Sequence, residues 1–423
     1  VRGGFSPWSL DQFADEDLRA TGPATQVGGQ PQAWLDAFTT APHAPWLYTG
    51  GLENHPRAIG QLAKLRPLWG VAGRMLRAVR DPLRLADVLR QEGWPTLPVV
   101  HGTQIPEAGE WLRKPRRSGG GLGITLHLPA TSHTSSQPAP SRRHYFQLRL
   151  PPGTPILGAT YLMADGQARL LGVARQFHGL DGDEQDHAAS AQRCLRFLYR
   201  GSIATSVNAT DRASFEQLGQ LLAVRFGLRG IIGVDAALHD GRCWVLEVNP
   251  RYPASAELFE DDDNLPYPHA AMKSSAAARN GFRNGGTVRS FIQLHAEVWQ
   301  GRTVDEALHA AGTDPNRLPL GLPNLVRGKW IVYARALVVW PEERDFGAIS
   351  PTPDRADETV LPFFQARLAD VPAKAAPIAA GHPICTLLAV QATDHSSESP
   401  EQRLIRLEKL LLRRLQERTA GGG

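Results

Sequence analysis

Cysteine is scarce, with Cys194, Cys243 and Cys385 the only three. They are odd in number, far apart, and in no zinc or dithiol spacing. That excludes a disulfide framework, a structural zinc site and a redox pair, and it favours a reducing compartment, so the expected location is the cytoplasm. Long apolar runs are missing too: no stretch of about 18 apolar residues occurs, and no membrane partner is expected. The opening VRGGFSPWSLDQF has no cationic segment followed by an apolar one, so no signal peptide is expected. An excess of one charge is also lacking. Lys and Arg total 46 against 42 Asp and Glu, a net charge of +4 that is too mild for a nucleic-acid partner to be expected. No internal repeat and no GxxxxGK[ST] phosphate loop is present.

What remains is a soluble globular composition, 42% hydrophobic and 21% charged, over 423 residues. That length suits two or three domains rather than one core. The most informative stretch is GVDAALHDGRCWVLEVNPRYPASAELFE, residues 233–260. Ile232, Val234, Ala236 and Leu238 alternate with Asp235, and Trp244, Leu246 and Val248 alternate with Val245, Glu247 and Asn249. Two strands are expected, with Glu247 and Asn249 on one face, ~7 Å apart. A two-residue Asp240-Gly241 turn would pair Asp235 with Leu246 and turn it from Glu247. A three-residue loop with Gly241 left-handed puts Asp235, Glu247 and Asn249 together and is the expected arrangement. Two carboxylates and an amide oxygen, followed by Arg251, suit Mg²⁺ carrying nucleotide phosphates. Spacing alone leaves open a half-exposed hairpin with polar residues facing water.

Upstream, WLRKPRRSGGGLGITL (111–126) runs a strand into a glycine-rich turn. Ser118, Gly119, Gly120, Gly121 and Gly123 allow backbone N–H groups to close on phosphate oxygens, and Lys114 adds a point charge. A plain hairpin is the competing reading. Asp81-Pro82 starts a helix: Asp81 caps, Pro82 suits the first position, Leu85, Val88 and Leu89 form its face, and Gly93 ends it. Residues 45–48 are a strand candidate leading into TGGLENHP (49–56), a loop of the kind that carries ligands at a sheet edge. Residues 129–143 are polar and proline-bearing, a linker-like composition. Further strands are expected over 144–176, within 195–205, as a pair within 328–340, and at 382–393. Helices are expected within 185–228, over 289–311 and over 400–418, the last with Leu404, Leu407, Leu411 and Leu415 on one side. Residues 261–288, with His269, read as loop with one helical turn on the substrate side, and 341–359 reads as a surface loop.

The order of these parts resembles the ATP-grasp superfamily: a lysine-led glycine flap (KPRRSGGGLGI), then the Asp235, Glu247, Asn249, Arg251 cluster in an EVNPRY segment. With YTGGLENHP, the nearest resemblance is to predicted ATP-dependent carboligases related to biotin carboxylase, in bacteria with tetrahydromethanopterin-type one-carbon pathways. The resemblance implies an α/β (α+β) ATP-grasp fold. Residues 1–80 would form an N-terminal parallel-sheet domain lacking its first strand. Residues 81–310 would form the ATP-grasp domain of two α+β lobes, with the flap lobe about 95–150, and 311–420 a small C-terminal α/β domain. It implies ATP with Mg²⁺ (Mn²⁺ as a substitute) held by Asp235, Glu247 and Asn249. Lys114 and the glycine turn would cover the phosphates, Arg251 would act in catalysis with Lys114, and Gln147, Leu148, Arg149 and Leu150 would form the adenine hinge. A lysine usual in these relatives is missing near Arg80, which either takes over its work or is a surface arginine.

The implied activity is a ligase that activates a carboxylate as an acyl phosphate and joins it to an amine, with a role in one-carbon cofactor synthesis. Carboxylation through carboxyphosphate and a non-catalytic nucleotide scaffold are the alternatives. The expected partners are small-molecule carboxylate and amine substrates, and a homo-oligomer is left open.

Overall fold

A computed structural model describes residues 5–128, 139–179, 196–260, 290–313, 318, 325–341, 364–392 and 398–420. The chain begins with two three-residue strands, β1 (Ser9–Asp11) and β2 (Ala24–Gln26), paired in parallel. Helices α1 (Glu16–Thr21), α2 (Pro31–Thr40), α3 (Pro56–Leu65) and α4 (Gly73–Val79) complete this part. The strand expected at 45–48 is reduced to a single parallel bridge, Trp46 to Leu68. Trp46 is drawn instead into an edge-on contact with Phe38, and Tyr48 into the main core.

Helix α5 (Pro82–Gln91) starts as its sequence dictates, with Asp81 Oδ1 accepting from Leu83 N at 3.0 Å. Its other oxygen takes Arg116 Nη2 at 2.8 Å, which ties the helix start to the glycine turn. Strands β3 (Val99–His101), β4 (Trp111–Pro115), β5 (Thr125–His127) and β6 (His144–Leu148) form a four-stranded sheet in the order β3-β6-β4-β5.

The second sheet has eight strands. β7 (Ile156–Ala164), β8 (Gln167–His178), β9 (Tyr199–Ala204), β10 (Gly230–His239) and β11 (Arg242–Asn249) are joined by β12 (Leu325–Tyr333), β14 (Phe364–Ala369) and β16 (Pro383–Ala392). The order is β11-β10-β7-β8-β9-β12-β16-β14. β7 is apolar on both sides because both faces are covered. Tyr161 and Met163 enter a core with α6 (Ala209–Phe226), while Leu162 and Ala164 enter a second core with α7 (Phe291–Trp299) and α8 (Val304–Ala310). The helix expected over 289–311 is thus two helices, because Thr303 and Glu306 form a reciprocal cap that starts α8 afresh.

β9 pairs directly with β12, so the large sheet continues across the boundary expected at 311. Helix α9 (Pro400–Ala420) covers this end with Leu404, Leu407, Leu411 and Leu415 against Trp330. The expected strand pair within 328–340 is corrected. β12 pairs with β9 and β16, whereas β13 (Val338–Val339) pairs with β15 (Pro377–Ile378). Several expectations lie outside the described residues: most of the polar stretch 129–143, the first helical segment after 185, the loop 261–288 with His269, and most of 341–359.

Candidate functional site

The β10–β11 hairpin closes through two residues, not three. His239 pairs with Arg242, and Asp240 and Gly241 both have positive φ, 51° and 66°. This is the backbone of a type I′ turn, whose twist matches the strands it joins. The expected three-residue loop is therefore wrong, yet the expected convergence holds. Ala236 pairs with Val245 and Asp235 with Glu247, so Leu246 is an extra residue, a β-bulge. A bulge shifts the side-chain phase by one. Val245 and Val248 both face the core, correcting the expectation that Val245 shares the polar face, and Glu247 and Asn249 rise beside Asp235.

Asn249 is the clip of this group. Its Nδ2 donates to Asp235 Oδ2 at 2.9 Å and lies 3.4 Å from Glu247 Oε1. Its Oδ1 faces Arg80 Nη1 at 3.5 Å, so the amide must turn over before that oxygen can reach a cation shared with the carboxylates. Gln176 Nε2 donates to Asp235 Oδ1 at 2.6 Å. Desolvation in the cleft and then the Glu247 charge push the Asp235 carboxyl up from its ordinary range. Desolvation also works to raise Glu247, but Arg80 and Lys114 outweigh it, and its carboxyl lies below the ordinary range. Two carboxylates pressed together in this way are a place for a cation. Among the described residues no group of three or more His, Cys, Asp or Glu forms a metal cage. Two carboxylates and an amide instead fit Mg²⁺, which is bound through one or two carboxylates together with substrate phosphates.

Between the two sheets lies a cavity of about 430 Å³. Arg80, Lys114, Ser118, Gly119, Gly120, Gly121, Gln147, Leu148, Arg149, Leu150, Asp235 and Glu247 all line it. Lys114 Nζ donates to Gln147 Oε1 at 3.0 Å, and Gln147 Nε2 reaches the carbonyl of the bulged Leu246 at 3.4 Å. That chain of contacts ties the small sheet to the carboxylate hairpin. Within the expected hinge, Leu148 N–H donates to Pro98 O and Arg149 N–H to Glu110 O. Those two donors are spent inside the protein and are not available to a base edge.

The glycine turn is held against the segment before β9. Tyr199 N–H donates to Gly120 O at 2.8 Å, and a Cβ on Gly121 (φ +78°) would fall 1.7 Å from Phe197 O. Gly123 is corrected: it is not among the cavity-lining residues, and a Cβ there would meet Pro115 Cγ at 3.0 Å. Arg80 is no plain surface arginine. Its Nη1 lies 3.5 Å from Glu247 Oε2 and 3.4 Å from Val248 O, and its Nη2 lies 3.4 Å from Ser118 O and 3.5 Å from Asn54 Oδ1. Arg251 stands apart from that group, its Nε on Glu53 Oε1 at 2.8 Å.

Sequence reasoning missed Gln176 and the individual roles of Glu53 and Asn54. The TGGLENHP segment was a signal for the last two. Gln176 has none, because it is a single amide in a long strand and meets Asp235 only through the fold.

This architecture is that of the ATP-grasp class, and residues 79–255 match the ATP-grasp domain family, so the chain carries an ATP-grasp domain. No curated protein matches the sequence. Solved structures match over nearly the whole chain. The L-amino acid ligase from Bacillus licheniformis has a TM-score of 0.57 and 12% identity, covering 92% of this chain and 86% of that one. The biotin carboxylase domain of Hydrogenobacter thermophilus 2-oxoglutarate carboxylase, a dimer in complex with MgADP, ADP and bicarbonate, has a TM-score of 0.59 and 12% identity, covering 91% and 81%. N5-carboxyaminoimidazole ribonucleotide synthetase from Thermus thermophilus has a TM-score of 0.56 and 16% identity, covering 97% and 92%. At these identities the likeness concerns the fold. No helix among the described residues is long and apolar enough to cross a membrane.

Proposed function

We propose that the protein is an ATP-dependent, ADP-forming ligase that activates a carboxylate as an acyl phosphate and joins it to an amine. The observation that carries this reading is the cavity in which Lys114, Arg80 and the glycine turn face the Asp235–Glu247 pair. Leu148, Leu150, Pro151 and Ile156 also line the cavity and offer apolar surface that suits a flat base. A nucleotide placed along it has its phosphates at the cationic and carboxylate end. Asp235, Glu247 and, with its amide turned, Asn249 would hold Mg²⁺, which neutralises phosphate charge when bound.

The chain's own contribution is positioning. Lys114 and Arg80 offset the charge of the phosphates, and the glycine turn excludes water from them. A substrate carboxylate oxygen attacks the γ phosphorus, the bond to the ADP oxygen breaks, and ADP leaves. The amine nitrogen then attacks the acyl carbon, phosphate departs with the electron pair, and the amine's proton passes to phosphate or solvent. Arg251 does not line the cavity and is held on Glu53, so it would stabilise the oxyanion only after turning from that carboxylate. No side chain of the protein is required as a nucleophile. By its name the L-amino acid ligase of like fold joins amino acids, in keeping with an amine acceptor. A place in one-carbon cofactor synthesis is supported only by the resemblance of three sequence segments.

The test is ADP release from ATP and Mg²⁺ by the purified protein across a panel of carboxylates paired with amines, with bicarbonate as a separate arm. ADP release that requires both a carboxylate and an amine supports the reading. Release that requires bicarbonate alone replaces it with carboxylation, and absence of nucleotide binding removes it.

A further inference from the structure

Asp235 sits on β10 and Gln176 on β8, with β7 between them. Two strand spacings separate the backbones by about 9.6 Å, and any side chain on β7 at that level would stand in the way. The residue opposite Asp235 on β7 is Gly158. Gly158 in turn faces Ala174, two residues before Gln176 and therefore on the same face of β8. The Gln176 amide crosses over the bare glycine backbone and donates to Asp235 Oδ1 at 2.6 Å. A Cβ on Gly158 would fall 2.8 Å from Gln176 Nε2 and 3.6 Å from Asp235 Oδ1. Asn249 donates to the other oxygen, Oδ2, at 2.9 Å. Each oxygen of Asp235 thus accepts one amide N–H, and each keeps a lone-pair direction for a cation.

We propose that Gln176 is a positioning residue for Asp235, and that Gly158 is the clearance it needs. The pair of amides fixes the rotation of the carboxylate while Glu247 crowds it, and so sets how tightly Mg²⁺ is taken up with the nucleotide. Outer partners of this kind tune a metal through its ligand, and their loss costs about 10-fold or more in metal affinity. The inference rests on the nucleotide-site reading above.

The test uses the full chain and calorimetric titration of a non-hydrolysable ATP analogue with and without Mg²⁺. In the wild type, Mg²⁺ is expected to tighten binding. Gln176→Met keeps the length but cannot donate, and is expected to cut that enhancement by about 10-fold. Gly158→Ala retains Gln176 but displaces only the end of its flexible side chain. It is expected to give the same loss with an unchanged melting temperature, and the double variant no further loss. If Gly158→Ala keeps the wild-type enhancement, or if the two losses add, Gln176 does not act on Asp235 and the proposal is overturned. A wild type that binds the analogue with no response to Mg²⁺ also overturns it, while leaving a nucleotide pocket in place. A wild type that binds no analogue removes both readings.

Discussion

Arg251 Nε donates to Glu53 Oε1 at 2.8 Å, joining positions 198 residues apart. Glu53 belongs to the loop before α3, so this contact fastens the N-terminal part of the chain to the end of the carboxylate hairpin. The Glu53 side chain is 1% exposed, and among the described residues its Oε2 has no partner. Removing one member of a buried pair strands the other charge, at a cost of about 3 kcal/mol or more. Glu53→Ala is therefore expected to lower stability by that order in urea unfolding. An unchanged midpoint would show that Arg251 is satisfied without it.

Glu247 and Asp235 repel each other in the cleft. Glu247→Gln removes that repulsion while deleting a metal-binding oxygen. It also removes the partner of Arg80 and Lys114, so the expected result is a melting temperature below the wild type, with ADP formation down by about 100-fold. Full turnover in this variant would sink the metal assignment.

His295 is buried neutral, with Nδ1 accepting from Ile231 N–H at 3.0 Å and Nε2 facing Trp69 O at 2.9 Å. Desolvation lowers it from 6.5 to about 4. Above pH 6.5 it is neutral in both the folded and unfolded states. As pH falls from there towards 4, the unfolded chain takes up a proton that the folded chain refuses, and stability is lost, by about 3 kcal/mol over the window. The difference in stability between wild type and His295→Gln, followed by urea unfolding from pH 7 to 4, should shrink accordingly. A constant difference would contradict it.

Gly121 permits the glycine turn to lie against Phe197. Gly121→Ala adds a Cβ at a left-handed position within 1.7 Å of a backbone carbonyl. The turn must move away, and nucleotide affinity is expected to fall by about 10-fold or more, a loss of ~1.4 kcal/mol. Calorimetric titration of the ATP analogue measures this directly, and unchanged affinity would detach the turn from the phosphate end.

Much of this was legible in the sequence because its signals are local. Asp81-Pro82, the Leu404 to Leu415 stripe and the lysine-led glycines are each read within a few residues. The hairpin was harder. Its Asp240-Gly241 turn is a plain two-residue signal, yet faces that match were expected through a longer loop, because a bulge at Leu246 leaves no trace in alternation. Residues 45–48 read as a strand because apolar residues also serve aromatic packing. Gly123 was grouped with its neighbours by composition, although its place is set by contact with Pro115. Gln176 could not be found at all, since the reason for it is the missing side chain of Gly158 on a neighbouring strand.

The hydrogen-bonded seam between β9 and β12 carries a practical lesson. A fragment ending at 255, where the family match stops, would bare the β9 edge at Gly201, Ser202 and Ile203 that Gly328, Lys329 and Trp330 now cover. Such a fragment would tend to self-associate through that edge. Fusions, swaps and expression trials on this protein should keep the part of the chain that supplies β12 attached.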